Sequence, residues 1–127
     1  MKITWVLGLV LMSATLTGHA EAQKSFPGWT YSNSTEDSDY YVKDQSGNLE
    51  NGIRSMLVQN VPKANNNDKT VNYRKFTILD KDCQNGYGAV TLYTPSGEFV
   101  AKLDYVKGGN SLASGMADIL CMVKFAK

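Results

Sequence analysis

The stretch YRKFTILDKDCQNGYGAVTLY, residues 73–93, decides how the rest of the chain is read. Its apolar residues alternate, Tyr73 and Leu79 against Phe76 and Ile78, then Tyr87, Ala89, Thr91 and Tyr93 against Val90 and Leu92. Period-two alternation on both sides of a polar break predicts two β-strands joined by a turn over Asp80–Gly86. Arg74 and Lys75, being adjacent, point to different faces of the first strand. The turn carries Cys83, one of two cysteines; the other, Cys121, lies in the last apolar segment. If the two are bonded, that segment is stapled to the middle of a sheet.

Working outward toward the C-terminus, Thr94-Pro95-Ser96-Gly97 suits a type I turn, with Pro at its second position and Gly at its fourth. Glu98–Val106 returns as a strand with Phe99, Ala101, Leu103 and Tyr105 on one face. Lys107-Gly108-Gly109-Asn110 breaks it, and Ser111 is a natural N-cap, because its hydroxyl can satisfy an orphan amide of a first helical turn. Leu112, Met116, Ile119, Leu120 and Val123 then form one helical stripe, with Ala113, Ala117 and Cys121 on its flank. Such a stripe needs a sheet face to lie on.

Working outward toward the N-terminus, Pro62–Lys69 reads as an exposed loop and Ile53–Val61 as a strand. Ile53, Leu57 and Val61 oppose Arg54, Met56, Val58 and Asn60, and neither set is cleanly apolar. Asn51-Gly52 is a hairpin dipeptide, since both residues tolerate positive φ. Tyr40–Lys43 is a strand, Ser32–Asp39 a polar loop, and Trp29 with Tyr31 places two aromatics on one face of a short strand. The expectation is an α+β domain: a single antiparallel sheet of about six strands, with one C-terminal helix packed on it.

The first residues point to export. Met1-Lys2 is a positive n-region, Ile3–Met12 an apolar run too short to span a bilayer, and Ala20-Glu21-Ala22 a signal-peptidase pattern. Residues 1–22 therefore read as a signal peptide and residues 23–127 as one domain, with no membrane span after signal removal. The formal charge of +1 argues against nucleic acid or anionic membrane as the main partner. In an exported chain, two cysteines most often make one disulfide, here Cys83–Cys121.

His19 is the only histidine and falls within the signal. Histidine-dependent triads, histidine-ligated zinc and histidine proton shuttling are thereby excluded from the mature domain. With no Cys-x-x-Cys spacing, a redox thiol is disfavoured as well. Two carboxylate groups, Asp80 with Asp82 and Glu36 with Asp37 and Asp39, offer calcium or acid–base chemistry in principle, yet they sit where solvated turn charges are ordinary. The expectation is a non-enzymatic protein with no cofactor and no metal. Asn33-Ser34-Thr35 fits a glycosylation sequon. Trp29, Tyr40, Tyr41, Tyr87 and Tyr93 are the aromatics that could line a binding surface, and the candidate binding-surface residues are Trp29, Tyr40, Tyr41, Arg74 and Lys75. Lys63 and Lys69 join Arg74 and Lys75 as the nearest thing to a basic patch.

Trp29 with Tyr31, Tyr40-Tyr41-Val42, Asn51-Gly52 before a strand, Asp82-Cys83 after a long strand and a final Ala117-Asp118-Ile119-Leu120-Cys121 together resemble the bacterial surface-adhesin protein E-like family. That resemblance implies an antiparallel sheet with a C-terminal helix disulfide-tied to its concave side through Cys83 and Cys121, an extracytoplasmic location and an adhesive role. Lys43 stands where the family carries Asp, and there is no lipobox cysteine, which points to a free periplasmic or secreted protein. The leading expectation is an adhesin-like binding protein with a protein ligand, and a homodimer as a further possibility. The alternative is a periplasmic inhibitor or immunity protein that blocks a partner enzyme or toxin, its candidate inserting loops being Glu36–Asp39 and Asn65–Asp68. A carboxylate-dependent hydrolase ranks far behind.

Overall fold

In the computed structural model the described residues are 24–123, so the expected signal peptide, residues 1–22, lies outside them. Seven strands and two helices follow in order: β1 (Trp29–Ser34), β2 (Ser38–Lys43), β3 (Asn48–Glu50), β4 (Ile53–Pro62), β5 (Asn72–Leu79), α1 (Asp80–Asn85), β6 (Tyr87–Tyr93), β7 (Phe99–Val106) and α2 (Leu112–Met122). All pairings are antiparallel, in one sheet of order β1-β2-β4-β5-β6-β7, with β3 added beside β4. The expected α+β architecture, one sheet with a C-terminal helix and a Cys83–Cys121 bond, is present.

Helix α2 starts where Ser111 caps it, its hydroxyl accepting the amide of Ser114 at 3.0 Å. It buries Ala113, Met116, Ala117 and Leu120 against Met56, Val58, Phe76, Ile78, Val90 and Tyr105 of the sheet. The buried stripe is centred on the alanine flank, and Leu112 and Ile119 are left half-buried. α2 touches both edge strands, β1 and β7, so the sheet curls around it and the helix occupies the concave side. Gly115 lets Asn33 of β1 lie close against the helix: a Cβ there would meet Asn33 Nδ2 at 2.6 Å, and the Asn33 side chain would have to shift. Ser32 Oγ also donates to Met116 Sδ on this side.

Four details depart from the sequence expectations. Asp80–Asn85 is not a simple turn but a short helix, ended by Gly86 at φ 85°. Ser32–Asp39 is not all loop, because β1 and β2 run into it and pair Asn33 with Tyr40 and Ser34 with Asp39 across a bulge. Asn48–Glu50 is an additional strand, closed onto β4 by the Asn51-Gly52 turn with φ of 54° and 77°. Finally, a register shift at the Tyr93 end of the β6–β7 ladder sets Phe99 opposite Tyr93, while Ala101 stays opposite Leu92. That bulge turns Phe99 to the face opposite Ala101, Leu103 and Tyr105.

The mixed pattern of β4 now has a cause. The strand is central and buried on both sides: Met56 and Val58 face α2, and Ser55, Gln59 and Val61 are buried on the outer, convex face. The disulfide spans 38 positions with a Cα–Cα distance of 5.5 Å and joins α1 to the end of α2. In the chain-entropy account such a cross-link stabilises by roughly 4 kcal/mol. The Cys83→Ala/Cys121→Ala double variant should therefore lose about that much in urea unfolding, while the wild type should lose a similar amount on addition of a reductant. A loss below about 1 kcal/mol would mean that α2 docks without its staple.

Candidate functional site

The sheet register defines the outer face row by row, because residues directly opposite in a ladder point to the same side. Trp29 opposes Lys43, Leu57 opposes Lys75, Lys75 opposes Tyr93 and Tyr93 opposes Phe99. Continuing the β2–β4 register by one residue sets Lys43 opposite Leu57. These six residues form a single belt at right angles to the strands, crossing the whole sheet. One neighbouring row holds Tyr31, Tyr41, Gln59 and Tyr73, the other Ser55, Thr77, Thr91 and Lys102.

Several side chains of the belt touch one another or the neighbouring row. The Trp29 and Tyr73 rings lie 5.8 Å apart, the Lys43 ammonium sits 5.4 Å from the Trp29 ring centre, and Tyr93 meets Phe99 edge-on at 6.4 Å. Stacking of this kind adds about 0.5–1.5 kcal/mol per pair beyond area burial and holds the rings in place. Tyr73 is 40% exposed and Phe99 64% exposed, so both present apolar surface to solvent. The three rows carry Lys43, Lys75 and Lys102 and no carboxylate. In the adjoining turn, Asp44 accepts a hydrogen bond from Thr30 Oγ1 at 2.6 Å.

The sequence candidates divide between the two faces. Trp29 and Lys75 lie in the belt; Tyr40 and Arg74 are on the concave side, opposite Asn60 and Val58. Tyr41 belongs to the interior, 2% exposed, with its hydroxyl donating to the Lys24 carbonyl at 2.7 Å and Phe26 packed edge-on at 4.9 Å. Burial, then Asp39 and Tyr31, raises the Tyr41 phenol above its ordinary value. Tyr93, singled out in the sequence, also lies in the belt, whereas sequence reasoning missed Lys43, Tyr73, Phe99 and Lys102 as members of one surface. Alternation within each strand was readable, but their common row depends on cross-strand register and on the bulge at Phe99.

Two buried side-chain oxygens, Gln59 Oε1 and Asn60 Oδ1, have no hydrogen-bond partner among the described residues. Gln59 is 6% exposed and lies on the outer face between Tyr41 and Tyr73. Leaving such an acceptor unpaired costs about 1–3 kcal/mol.

A second surface feature is a braced pair of loops at one end of the sheet. The Lys63 amide donates to Asp37 O, Lys63 Nζ to Thr35 O, Asn65 Nδ2 to Glu36 O and Asn66 Nδ2 to Asp37 O. The two loops singled out in the sequence are thus tied to each other, beside a hollow of about 700 Å³ lined by Lys24, Asp39, Tyr41, Lys63 and Lys69 among others. Exposed Asp68 is held below the usual carboxylate range by the Thr70 backbone amide and then its side chain.

The carboxylates at the other end have structural tasks. Asp80, at the start of α1, accepts Arg54 Nε at 2.6 Å, and the same guanidinium donates to the Leu120 and Val123 carbonyls at the end of α2. One cation thereby satisfies an acid at one helix N-terminus and orphan carbonyls at another helix C-terminus. Asp82 accepts the Ala89 amide and packs over Gly88, where any Cβ would collide with it. Among the described residues, no three His, Cys, Asp or Glu side chains are grouped closely enough to hold a metal. The sequon's Asn33 is half-buried, with its Nδ2 close to Gly115 of α2.

Comparison of the chain with family models, with curated proteins and with solved structures finds no match. The disulfide fits an oxidising, extracellular-type environment. Among the described residues, no helix is long and apolar enough to cross a membrane.

Tyr105 supplies a test of the concave side. Burial first, and then the Asp118 carboxylate that accepts its hydroxyl at 3.0 Å, push its pKa up to about 12 from 10.0. Between those values the folded protein holds a proton that the unfolded chain has released, so stability must fall as pH rises through that window. Tyr105→Phe should flatten the loss of stability between pH 10 and 12, measured by urea unfolding at each pH. An unchanged slope would remove Tyr105 from the alkaline transition.

Proposed function

We propose that this is an exported, non-enzymatic binding protein that engages its ligand through the outer face of the sheet. The observation that carries this reading is the belt from Trp29 to Phe99, an array of aromatic and cationic side chains on the side away from the helix. Exposed aromatic side chains on a rigid surface are the composition of binding hot spots, and the lysines between them add positive charge. Export is supported by the signal-like residues 1–22 and by the disulfide, and together they favour a periplasmic or secreted location. The resemblance to surface-adhesin E-like proteins makes the reading adhesin-like, with an extracellular protein as one class of ligand. The strand edge of β7 also offers a second copy of the chain somewhere to pair.

A second reading is supported by the braced loops. An inhibitor or immunity protein presents loops whose conformation is set before binding, and the four hydrogen bonds between the Thr35–Asp37 and Lys63–Asn66 segments provide that preorganisation. The two readings predict different losses on mutation. With mature oxidised protein as bait against extracellular-matrix and bacterial-envelope extracts, Trp29→Ala/Lys75→Gln should reduce capture at least tenfold, and Asn65→Ala/Asn66→Ala should leave it intact. The reverse pattern, with stoichiometric capture of one envelope enzyme or toxin, would replace the adhesin-like reading with the inhibitor.

A further inference from the structure

We infer that the belt is a site for an acidic polysaccharide, lying across the strands with sugar rings against the aromatics and acid groups on the lysines. The inference rests on reading the outer face as the binding surface, and it names the ligand chemistry that this surface fits.

Three observations lead to it. The first is charge complementarity. The chain as a whole is near neutral, at +1, yet the belt and its two flanking rows hold Lys43, Lys75 and Lys102 without one acid. The nearest acids on this face lie one row further out, Asp39 toward the loop end and Glu50 and Asp104 toward the other, Asp104 two residues along β7 from Lys102, while Asp80, Asp82 and Asp118 lie around the helices. Lys75 and Lys102 have no ion-pair partner among the described residues, and Lys43 rests over an aromatic ring instead of a carboxylate. Ammonium groups left in this way are available to an incoming anion.

The second observation is shape. The belt crosses the sheet face turned away from α2, five strand spacings or about 24 Å of backbone from Trp29 to Phe99, with the Trp29 ring reaching across to 5.8 Å from Tyr73. A surface of that form suits an extended polymer lying over it better than a small molecule, which needs concavity. Sugar rings present C–H faces that pack on Trp29 and Phe99, and Lys43 and Lys75 stand two strand spacings apart, about 10 Å. That separation suits a polymer carrying one acid on every second sugar.

The third observation is Gln59 Oε1, buried on the same face with no donor, beside the half-exposed Tyr73. A hydroxyl-rich ligand that moved the Tyr73 ring aside would supply the missing hydrogen bond, whereas an apolar partner would leave the acceptor unpaired.

The test uses mature, oxidised protein and three probes: heparin, polygalacturonate and, as a neutral control, dextran. Calorimetry should show saturable binding to one or both acidic polymers, weakening as salt rises, and none to dextran. Lys43→Gln/Lys75→Gln and Phe99→Ser should each weaken binding about tenfold or more. Lys81→Gln/Lys107→Gln, the same charge change outside the belt, should leave it within about twofold. Phe99 is largely exposed, so its replacement keeps the test valid even where Trp29→Ala affects folding. Equal losses from both lysine pairs would show a diffuse charge effect and overturn the site. No binding to either acidic polymer would overturn the ligand class. If Trp29→Ala then still abolished capture of a matrix protein, the outer-face reading would survive with a protein as its ligand.

Discussion

The anchoring of α2 inside the curl of the sheet is the constraint on which the rest of the structure depends. Eleven residues of helix gain little stability alone, so α2 exists because its alanine-centred stripe is held against Phe76, Ile78, Val90 and Tyr105. Three kinds of interaction converge to hold it. The Ser111 cap fixes its start, the Cys83–Cys121 bond fixes its end, and Arg54 ties that end to α1 by neutralising Asp80 and the last carbonyls together. Small residues at Ala113, Gly115 and Ala117 let the sheet close in, and curling follows from contact of the helix with both edge strands.

Placing α2, the longer helix among the described residues, on the concave side leaves the convex side to be stabilised by the sheet's own side chains. Ser55, Gln59, Thr77 and Val61 fill its buried positions, and Tyr41 is covered by Phe26 from the N-terminal segment. Around them Trp29, Tyr73, Tyr93 and Phe99 make ring contacts with each other and stay partly open to solvent. A face stabilised by aromatic pairs, with lysines between them, is both a structural solution and a contact surface. The same residues therefore serve the fold and the proposed binding, and among the described residues of this face the buried oxygen of Gln59 is left without a hydrogen-bond partner.

Much of this architecture could be read from the chain. Alternation in residues 73–93 and 98–106, the Asn51-Gly52 turn, the Ser111 cap and the helical stripe all act through local physics, and each has its structural counterpart. The pairing of Cys83 with Cys121 follows from there being only two cysteines. What was not legible depends on neighbours distant in sequence. The polar run Ser32–Asp39 hid strand ends because its pairing, not its composition, makes it extended. Asp80–Asn85 became helical because Arg54 and the disulfide hold it there. The belt was invisible because Phe99 belongs to it only through a bulge, and because Lys43, Lys75 and Tyr93 become neighbours only when three ladders are in register.

The central claim is that ligand is met by the face that carries Trp29. Once residues 1–22 are removed, Trp29 is the sole tryptophan, since the other of the two is Trp5. Its emission is therefore a direct reporter of the belt. The most direct measurement is Trp29 fluorescence of the mature oxidised protein, titrated with a polymer or partner whose binding is followed independently by calorimetry. The account predicts a saturable change in Trp29 intensity or emission maximum, with the same midpoint as the calorimetric curve. Binding that saturates in the calorimeter while Trp29 emission stays constant would place the ligand elsewhere and contradict it.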